Sequence, residues 1–99
     1  IKRVHKILVN NAIDYDIIHG ETLFRTRQPG DIYKQYGRGV TKPVKKLLID
    51  EKIPKEKRSS LLMLACGSEV IWLQGFGVSE KYKITDGTKT VLVVEAEGI

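Results

Sequence analysis

The sequence contains few of the residues that mark several large protein classes. Its single cysteine, Cys66, rules out an internal disulfide and a zinc site built from several cysteines. No apolar run approaches the ~20 residues that cross a bilayer, and no secretory signal pattern opens the chain. We therefore expect no membrane contact, a cytoplasmic location and a buried structural role for Cys66.

Motifs for catalysis are also scarce. His5 and His19 are the only histidines, and no paired motif joins them to Cys66. The glycine loops Gly37-Arg38-Gly39 and Gly75-Phe76-Gly77 are too short to form a phosphate loop. We expect no catalytic residue, no metal site and no cofactor in this chain. The hypothesis that the chain is an autonomous enzyme stays open, and catalytic turnover by the chain alone would support it.

The composition suits one small domain covering residues 1–99. With 41% hydrophobic residues among 99, the chain can build one core and does not resemble a disordered segment. It begins with Ile1 instead of Met, and we expect it to be a fragment of a longer protein. No repeat, low-complexity segment or linker divides it.

Positive charge is concentrated in the middle of the chain. Residues 25–58 contain eleven lysines and arginines and four acidic residues, a net charge of +7, whereas the whole chain carries +5. Such a block in a small domain indicates a polyanionic partner, and nucleic acid is the first candidate. A solvated lysine-rich surface is the alternative, and charge alone does not separate the two.

Strand patterns precede this basic block. Runs rich in β-forming residues predict strands at Val4–Val9, Tyr15–Ile18 and Thr22–Arg27, and His19-Gly20-Glu21 has the composition of a hairpin turn between the last two. Gln28-Pro29-Gly30-Asp31 has turn chemistry, because proline fixes φ and glycine accepts a positive φ. The N-terminal third is therefore expected to be β-structure.

Two short helices are predicted next. The first begins near residues 41–43, because proline is favoured at the first helical position, and it ends near Lys52. Pro54 opens the second helix, which runs through Ser60. At 100° per residue the first helix has an apolar face and an opposite basic face. The apolar face consists of Val44, Leu47 and Leu48, and the basic face of Lys42, Lys45, Lys46 and Lys52.

The charges along the first helix oppose its dipole. Lys42, Lys45 and Lys46 lie near its N-terminus, and Asp50 and Glu51 near its C-terminus, which reverses the arrangement that the macrodipole favours. Backbone N–H groups at that end attract anions. The pattern therefore predicts a phosphate-binding site. Exposed lysines whose cost is screened by salt are the alternative.

Strands return after the helices. Leu61–Ala65 and Val70–Leu73 flank the hairpin signal of residues 66–69, and their consecutive apolar residues indicate that both faces are covered, with Trp72 inside. A strand around residues 81–85, the turn Asp86-Gly87 and a return strand at residues 91–94 predict a second hairpin. The order predicts an α+β fold: a small β-sandwich-like sheet arrangement with a short central helical pair on one side.

Several segments together resemble one family. They are Arg27-Gln-Pro-Gly-Asp31, the segment from Lys45 to Lys55, Arg58 and Val70-Ile-Trp-Leu-Gln-Gly75. From about residue 25 to residue 95, the chain is similar to the C-terminal domain of tRNA(Ile)-lysidine synthetase. The spacing of the segments is more specific than any one of them.

The resemblance implies a function that composition does not reveal. Enzymes of this family are bacterial ligases that use ATP to adenylate the wobble cytidine of tRNA(Ile) and then attach lysine. Their catalysis belongs to an N-terminal ATPase domain with a Ser-Gly-Gly-x-Asp-Ser loop, which this sequence lacks. The C-terminal domain, an α+β module with an unusual β-sandwich, helps to hold the tRNA body, notably its acceptor stem. The implied partners are tRNA(Ile) and the ATPase domain of the same protein.

The resemblance and the basic block together give a set of candidate residues. The RNA-binding candidates are Arg27, Arg38, Lys42, Lys45, Lys46, Lys52 and Arg58, and the structural candidates are Gly30, Asp31 and Pro54. The alternative is a non-RNA structural or dimerisation module that packs on a catalytic domain or on a second copy.

Overall fold

The computed structural model describes residues 11–94. Its strands are β1 Ala12–Asp14, β2 Leu23–Arg25, β3 Ile32–Lys34, β4 Thr41–Pro43, β5 Met63–Cys66, β6 Glu69–Leu73, β7 Gly77–Val78 and β8 Val91–Val93. Its α-helices are α1 Val44–Asp50 and α2 Lys55–Arg58, and 3-10 helices occupy Tyr15–Ile17 and Glu80–Tyr82. The strand predicted at Val4–Val9 lies outside the described residues. No helix within residues 11–94 is long and apolar enough to cross a membrane.

Six strands form one sheet, and the other two form a separate ribbon. The sheet order is β2-β5-β6-β3-β4, with β7 also paired to β6, and the ribbon consists of β1 and β8. Neighbouring strands are antiparallel except β3 and β6, which run parallel through Ile32 and Glu69. The hairpin of β5 and β6 confirms the prediction around residues 66–69, with Gly67 at φ 61° in its turn.

A β-bulge in this hairpin turns two consecutive side chains toward one layer. Leu64 pairs with Trp72 and Ala65 pairs with Val70, so Ile71 is the additional residue. Ile71 and Trp72 belong to the core cluster on the ribbon side, whereas Val70 belongs to the cluster on the α1 side. The prediction that both faces of these strands are covered is therefore confirmed.

One core cluster lies on each face of the sheet. On the ribbon side, Trp72 is only 3% exposed, and its indole N–H donates to Asn11 Oδ1 at 2.9 Å. On the helix side, Val44, Leu47 and Leu48 of α1 are buried, as their spacing predicts. The ribbon, sheet and helices confirm the α+β class and the sandwich-like arrangement. Cys66, predicted to be a buried structural thiol, is half-buried and packs against the ribbon-side cluster.

Helix α1 is shorter than predicted at both ends. Thr41–Pro43 forms β4 and pairs with Ile32–Lys34, so Pro43 precedes the helix instead of occupying its first turn. At the other end Lys52 adopts φ 58°, a left-handed conformation that ends helical geometry. The second predicted helix is confirmed as α2, with Pro54 immediately before it.

The predicted strand at Tyr15–Ile18 was wrong. The Asp14 carboxylate accepts the N–H of Asp16 at 3.0 Å, and this cap starts a 3-10 helix. The strand that precedes it, β1, pairs with β8. The predicted hairpin around residues 19–21 therefore does not form.

The second predicted hairpin was also wrong. Glu80–Tyr82 is a 3-10 helix, and the turn at Asp86-Gly87 sits inside a loop closed by hydrogen bonds between Thr85 and Thr88. Thr88 Oγ1 also donates to Asp14 Oδ2 at 2.9 Å, which directs the loop toward β1. The predicted return strand exists as β8, but its partner is β1 and not residues 81–85.

Candidate nucleic-acid interface

Two of the predicted RNA-contacting lysines converge on one acidic residue. Lys42 Nζ lies 3.5 Å from Asp50 Oδ2, and Lys46 Nζ lies 3.6 Å from the same oxygen. Lys42 projects from β4 and Lys46 from α1, so the carboxylate draws together cations from two elements. Exposed ion pairs of this kind contribute less than about 1 kcal/mol. The lysines therefore remain available to a stronger anion such as a phosphate.

Lys45 differs from its neighbour Lys46 in having no ion pair within residues 11–94. It is exposed on α1, beside the buried Val44. Because the apolar face of α1 is fixed against the sheet, Lys45 and Lys46 point away from the core. The two side chains form the part of the basic surface that is most accessible on this helix.

The phosphate site predicted at the helix N-terminus has less support from the geometry. Helix α1 has seven residues, and the N–H of Val44 already donates to the carbonyl of Asp31 at 2.9 Å. Lys42 lies on β4 and not in the first helical turn. The positive field at this place therefore comes from lysine side chains and not from a long helix dipole.

Arg38 is presented by a glycine turn next to this basic group. Gly37 and Gly39 flank it with φ 85° and 71°, conformations that favour glycine. The N–H of Arg38 donates to the carbonyl of Gln35 at 3.0 Å, and the N–H of Gly37 donates to Glu80 Oε1 at 3.1 Å. The turn is thus anchored from two sides, while the Arg38 side chain is exposed.

Arg38 and Lys42 line the same pocket. It lies between β3, β4 and α1 and has a volume of about 170 Å³. Its lining contains the apolar residues Tyr33 and Leu47 together with these two cations. Lys42 is therefore linked to Arg38 through this pocket and to Lys46 through Asp50, although the sequence placed these residues on a helix and a separate loop.

Lys52 and Arg58 belong to the connection between the two helices. Lys52 is exposed in its left-handed conformation, and its N–H donates to the carbonyl of Ile49 at 3.0 Å. The half-buried Arg58 donates from Nε to the carbonyl of Ile53 at 2.8 Å. Pro54 accepts the N–H groups of residues 57 and 58, so it closes the first turn of α2. Arg58 therefore holds the hinge in addition to its candidate role with RNA.

The turn at residues 28–31 is organised by an ion pair that the sequence analysis missed. Asp31 is 3% exposed, and it accepts two hydrogen bonds from the guanidinium of Arg25 and one from the N–H of Gln28. Burial opposes ionisation of Asp31, but these hydrogen bonds outweigh it and lower the pKa of its carboxyl. Gly30 adopts φ 88° in the same turn. In the sequence, the opposite charges of Arg25 and Asp31 on the two sides of a proline–glycine turn could have indicated this ion pair.

Arg27 lies close to this ion pair. Its positive charge also contributes to lowering the pKa of Asp31. Arg27 is half-buried, and its Nε has no hydrogen-bond partner among the described residues. Contacts within residues 11–94 do not connect Arg27, Lys52 or Arg58 directly with the group around Asp50. The seven candidates therefore form one charged segment with a tighter centre at Arg38, Lys42 and Lys46.

The remaining titratable candidates are His5, His19 and Cys66. His19 is exposed, and Cys66 is half-buried beside core residues. Within residues 11–94 no group of three or more His, Cys, Asp or Glu side chains could hold a metal ion. His5 lies outside the described residues.

Comparisons with known proteins match most of the chain. A family model described as the TilS substrate C-terminal domain matches residues 23–95. The chain is 43% identical over 82 residues to the tRNA(Ile)-lysidine synthase of Caldanaerobacter subterraneus subsp. tengcongensis, covering 83% of this chain and 18% of that protein. It is 35% identical over 100 residues to the tRNA(Ile)-lysidine synthase of Clostridium tetani, covering 96% and 21%.

A solved structure has the same fold. The crystal structure of a TilS C-terminal domain superposes with a TM-score of 0.70 at 23% sequence identity, over 90% of this chain and 70% of that one. The chain spans only about a fifth of the length of the curated relatives named above.

Proposed function

This chain belongs to the family of TilS substrate C-terminal domains, and from that membership we propose that it binds tRNA. In this proposal it holds the body of tRNA(Ile), including the acceptor stem, while a separate ATPase domain of the same protein joins lysine to the wobble cytidine. ATP is a cofactor of that other domain. The ligase activity belongs to the whole protein, whose location is the bacterial cytoplasm.

The observation that carries the proposal is the position of Lys42 between two other cations on different elements. Lys42 of β4 lines a pocket together with Arg38 of the glycine turn, and it shares the Asp50 carboxylate with Lys46 of α1. Three rigidly supported elements can present charge with a spacing that matches a phosphate backbone. An A-form stem hides its base edges in a deep major groove, so backbone contacts suit a duplex.

Anisotropy with fluorescent tRNA(Ile) tests the proposal. Lys45→Glu changes an exposed lysine on α1, and Lys89→Glu makes the same change at an exposed lysine whose backbone N–H donates to Asp16 of the first 3-10 helix. We expect Lys45→Glu to weaken binding several-fold and Lys89→Glu to have a much smaller effect. Equal effects of the two variants would indicate only a general charge dependence, and no binding by the wild type would contradict the proposal.

An exposed apolar edge favours a second function, docking to a protein surface. Leu23 and Phe24 are 60% and 51% exposed on β2, which is an edge strand of the sheet. Open strand edges with apolar side chains commonly pair with another chain or domain. A dimerisation or packing module would use this edge and would leave the basic segment in solvent.

Light scattering after size-exclusion chromatography separates this alternative. A dimer that Phe24→Ser converts to a monomer would support a docking role for β2. The same variant should leave tRNA affinity unchanged if the RNA-binding surface lies around α1. A monomer that binds tRNA in a salt-sensitive manner would instead favour the RNA-binding function.

A further inference from the structure

We propose that the pocket between β3, β4 and α1 takes a single unpaired nucleotide of RNA, which is a binding mode distinct from phosphate contacts along a duplex. This inference rests on the proposed RNA-binding function and adds a specific site to it. The pocket volume of about 170 Å³ is below the ~300 Å³ at which drug-sized ligand sites begin. The space therefore suits one ring-sized group.

The pocket combines one exposed apolar side chain with a fixed, buried backing. Of its apolar lining residues, Tyr33 and Leu47 are 2% and 5% exposed, whereas Val40 is 56% exposed. The Tyr33 hydroxyl donates to the carbonyl of Gly77 at 2.8 Å, so the ring is held in place. Burial also raises the pKa of Tyr33, which keeps its hydroxyl protonated. Val40, beside this fixed backing, offers an apolar contact to the face of one unstacked base.

The rim of the pocket provides both hydrogen-bond donors and acceptors. Arg38 and Lys42 supply positive charge for the phosphate of the nucleotide. Gln35 uses its amide nitrogen as a donor to the carbonyl of Phe76 at 3.3 Å, which leaves its Oε1 as an acceptor. Glu51 adds a carboxylate acceptor at the rim. Two acceptors near a ring site favour a base with an exocyclic amino group, such as adenine or cytosine, over uracil.

A paired base cannot use such a site. In an A-form stem the faces of the bases are stacked, and their edges are not accessible to a concave apolar wall. A nucleotide in a loop or at a strand end can leave the stack and expose its face. The pocket therefore distinguishes an RNA that has an unpaired nucleotide from one that is fully paired.

Two RNA hairpins test the proposal, with the same stem closed by the same non-nucleotide linker so that neither has an unpaired loop. One has a blunt end, and the other ends in an extension of unpaired adenosines. We expect the wild-type chain to bind the extended hairpin about fivefold more tightly, since one apolar base contact has that order of magnitude. Replacing the adenosines by uridines should remove most of this preference. Equal affinity of the wild type for the two hairpins would overturn the pocket proposal and leave the RNA-binding function standing.

Val40→Asn tests the pocket itself, because it removes an apolar side chain without adding bulk or charge. Val40 is exposed, so the fold is expected to tolerate the change. The matched control is Val93→Asn, at an exposed valine of the ribbon. We expect Val40→Asn to abolish the preference for the extension and Val93→Asn to retain it. Retention of the preference by Val40→Asn would overturn the assignment of the pocket.

Methyl NMR spectra give a direct readout of occupancy. The extended hairpin should shift the methyl signals of Val40 and Leu47 and leave those of Val93 unchanged. Adenosine monophosphate is the probe for a free nucleotide as the occupant. Stronger binding of that mononucleotide than of the extended hairpin at these methyl groups would overturn the RNA assignment. If neither hairpin binds, both the RNA-binding function and this proposal are contradicted.

Discussion

The guanidinium of Arg25 binds the carboxylate of Asp31 in a fork, with nitrogen–oxygen distances of 2.8 and 2.7 Å. The same guanidinium donates to the carbonyl of Gly67 at 2.8 Å, in the turn of the β5–β6 hairpin. Asp31 in turn supplies the carbonyl that receives the first N–H of α1. One ion pair thus connects the edge strand β2, the central hairpin and the helix that carries the exposed lysines.

Removing one member of this pair should destabilise the domain. Asp31 is almost fully buried, so Arg25→Met leaves a buried carboxylate without its cation and should cost about 3 kcal/mol of unfolding free energy. Urea unfolding measures the loss. Lys46→Met, which breaks an exposed pair, is the control and should cost less than about 1 kcal/mol. Similar losses in the two variants would contradict the structural importance of the Arg25–Asp31 pair.

The same pair predicts a pH dependence of stability. The pKa of Asp31 is lowered in the folded state, and its unfolded value is about 3.9. Its contribution is therefore fully present above that unfolded value and is lost as the pH falls through the lower folded pKa. The stability difference between the wild type and Asp31→Asn should shrink as the pH falls below about 4. A difference that does not change with pH in urea titrations would show that ionisation of Asp31 is not its source.

Charge reversal on α1 should affect tRNA affinity much more than stability. Lys45→Glu with Lys46→Glu removes two candidate phosphate contacts. It improves the match to the helix dipole but loses the Lys46–Asp50 pair, so unfolding free energy should change by less than about 0.5 kcal/mol. If the surface makes ~4 phosphate contacts, log affinity should fall with log salt at a slope of about −3 to −4. The double variant should flatten this slope by about 1.5 units.

Anisotropy across a salt series, with thermal melts of both proteins, measures this prediction. A solvated lysine surface predicts that neither affinity nor slope responds to the double substitution. An unchanged slope would therefore exclude phosphate contacts by Lys45 and Lys46, even though the family assignment would stand.

Trp72 provides an intrinsic probe of the ribbon-side core. It is the only tryptophan of the chain, and it is buried with its indole N–H bound to Asn11. We expect blue-shifted fluorescence in the native state and a shift to the red on unfolding. Acrylamide should quench the native emission weakly. Native emission typical of indole in water would contradict the position of Trp72 between the sheet and the ribbon.

The chain alone should show no ligase chemistry. Its sequence lacks a nucleotide loop and any motif that pairs a histidine with Cys66. Incubation with labelled ATP, lysine and tRNA(Ile) should give only background adenylation. Turnover that depends on His19 or Cys66 would contradict the proposed accessory role, whereas general background that survives both substitutions would point to a contaminant.

Features specified by neighbouring residues could be predicted from the sequence. The β5–β6 hairpin follows from two apolar runs around Gly67, and the buried face of α1 follows from the spacing of Val44, Leu47 and Leu48. Both depend on interactions within about ten residues of chain. The bulge at Ile71 could not be predicted, because a run of apolar residues does not show which of them lacks a partner.

Two strand predictions failed, one because of a local cap and the other because of distant pairing. The β-forming residues around Tyr15 suggested a strand, but a carboxylate cap from Asp14 gave a 3-10 helix instead. Asp86-Gly87 has strong hairpin composition, yet the strand that follows it pairs with β1, over seventy residues away in sequence. Local β-propensity does not show which of two possible partner strands buries more apolar surface over Trp72.

The sequence predicted which basic residues belong to the candidate site but not how they are arranged in space. The basic residues were all visible as a charge block in the sequence. Their grouping was not, because Lys42 reaches its place through the pairing of β4 with β3, and Arg38 through a turn anchored by Glu80. A helical projection put Lys42 on the wrong element. The contact of Asp50 with both Lys42 and Lys46 could not be predicted, because it depends on how β4 and α1 are positioned relative to each other.

Strands β2 and β5 lie side by side, with Arg25 opposite Met63, so the chain leaves and re-enters the sheet at adjacent positions. Every candidate RNA contact lies within the excursion between them, residues 26–62. This segment, residues 26–62, can therefore be exchanged as one unit, because its two ends lie on paired, neighbouring strands. Grafting it as a unit would transfer the charged surface with its pocket, while the ribbon and the β5–β6 hairpin of the recipient would supply the frame.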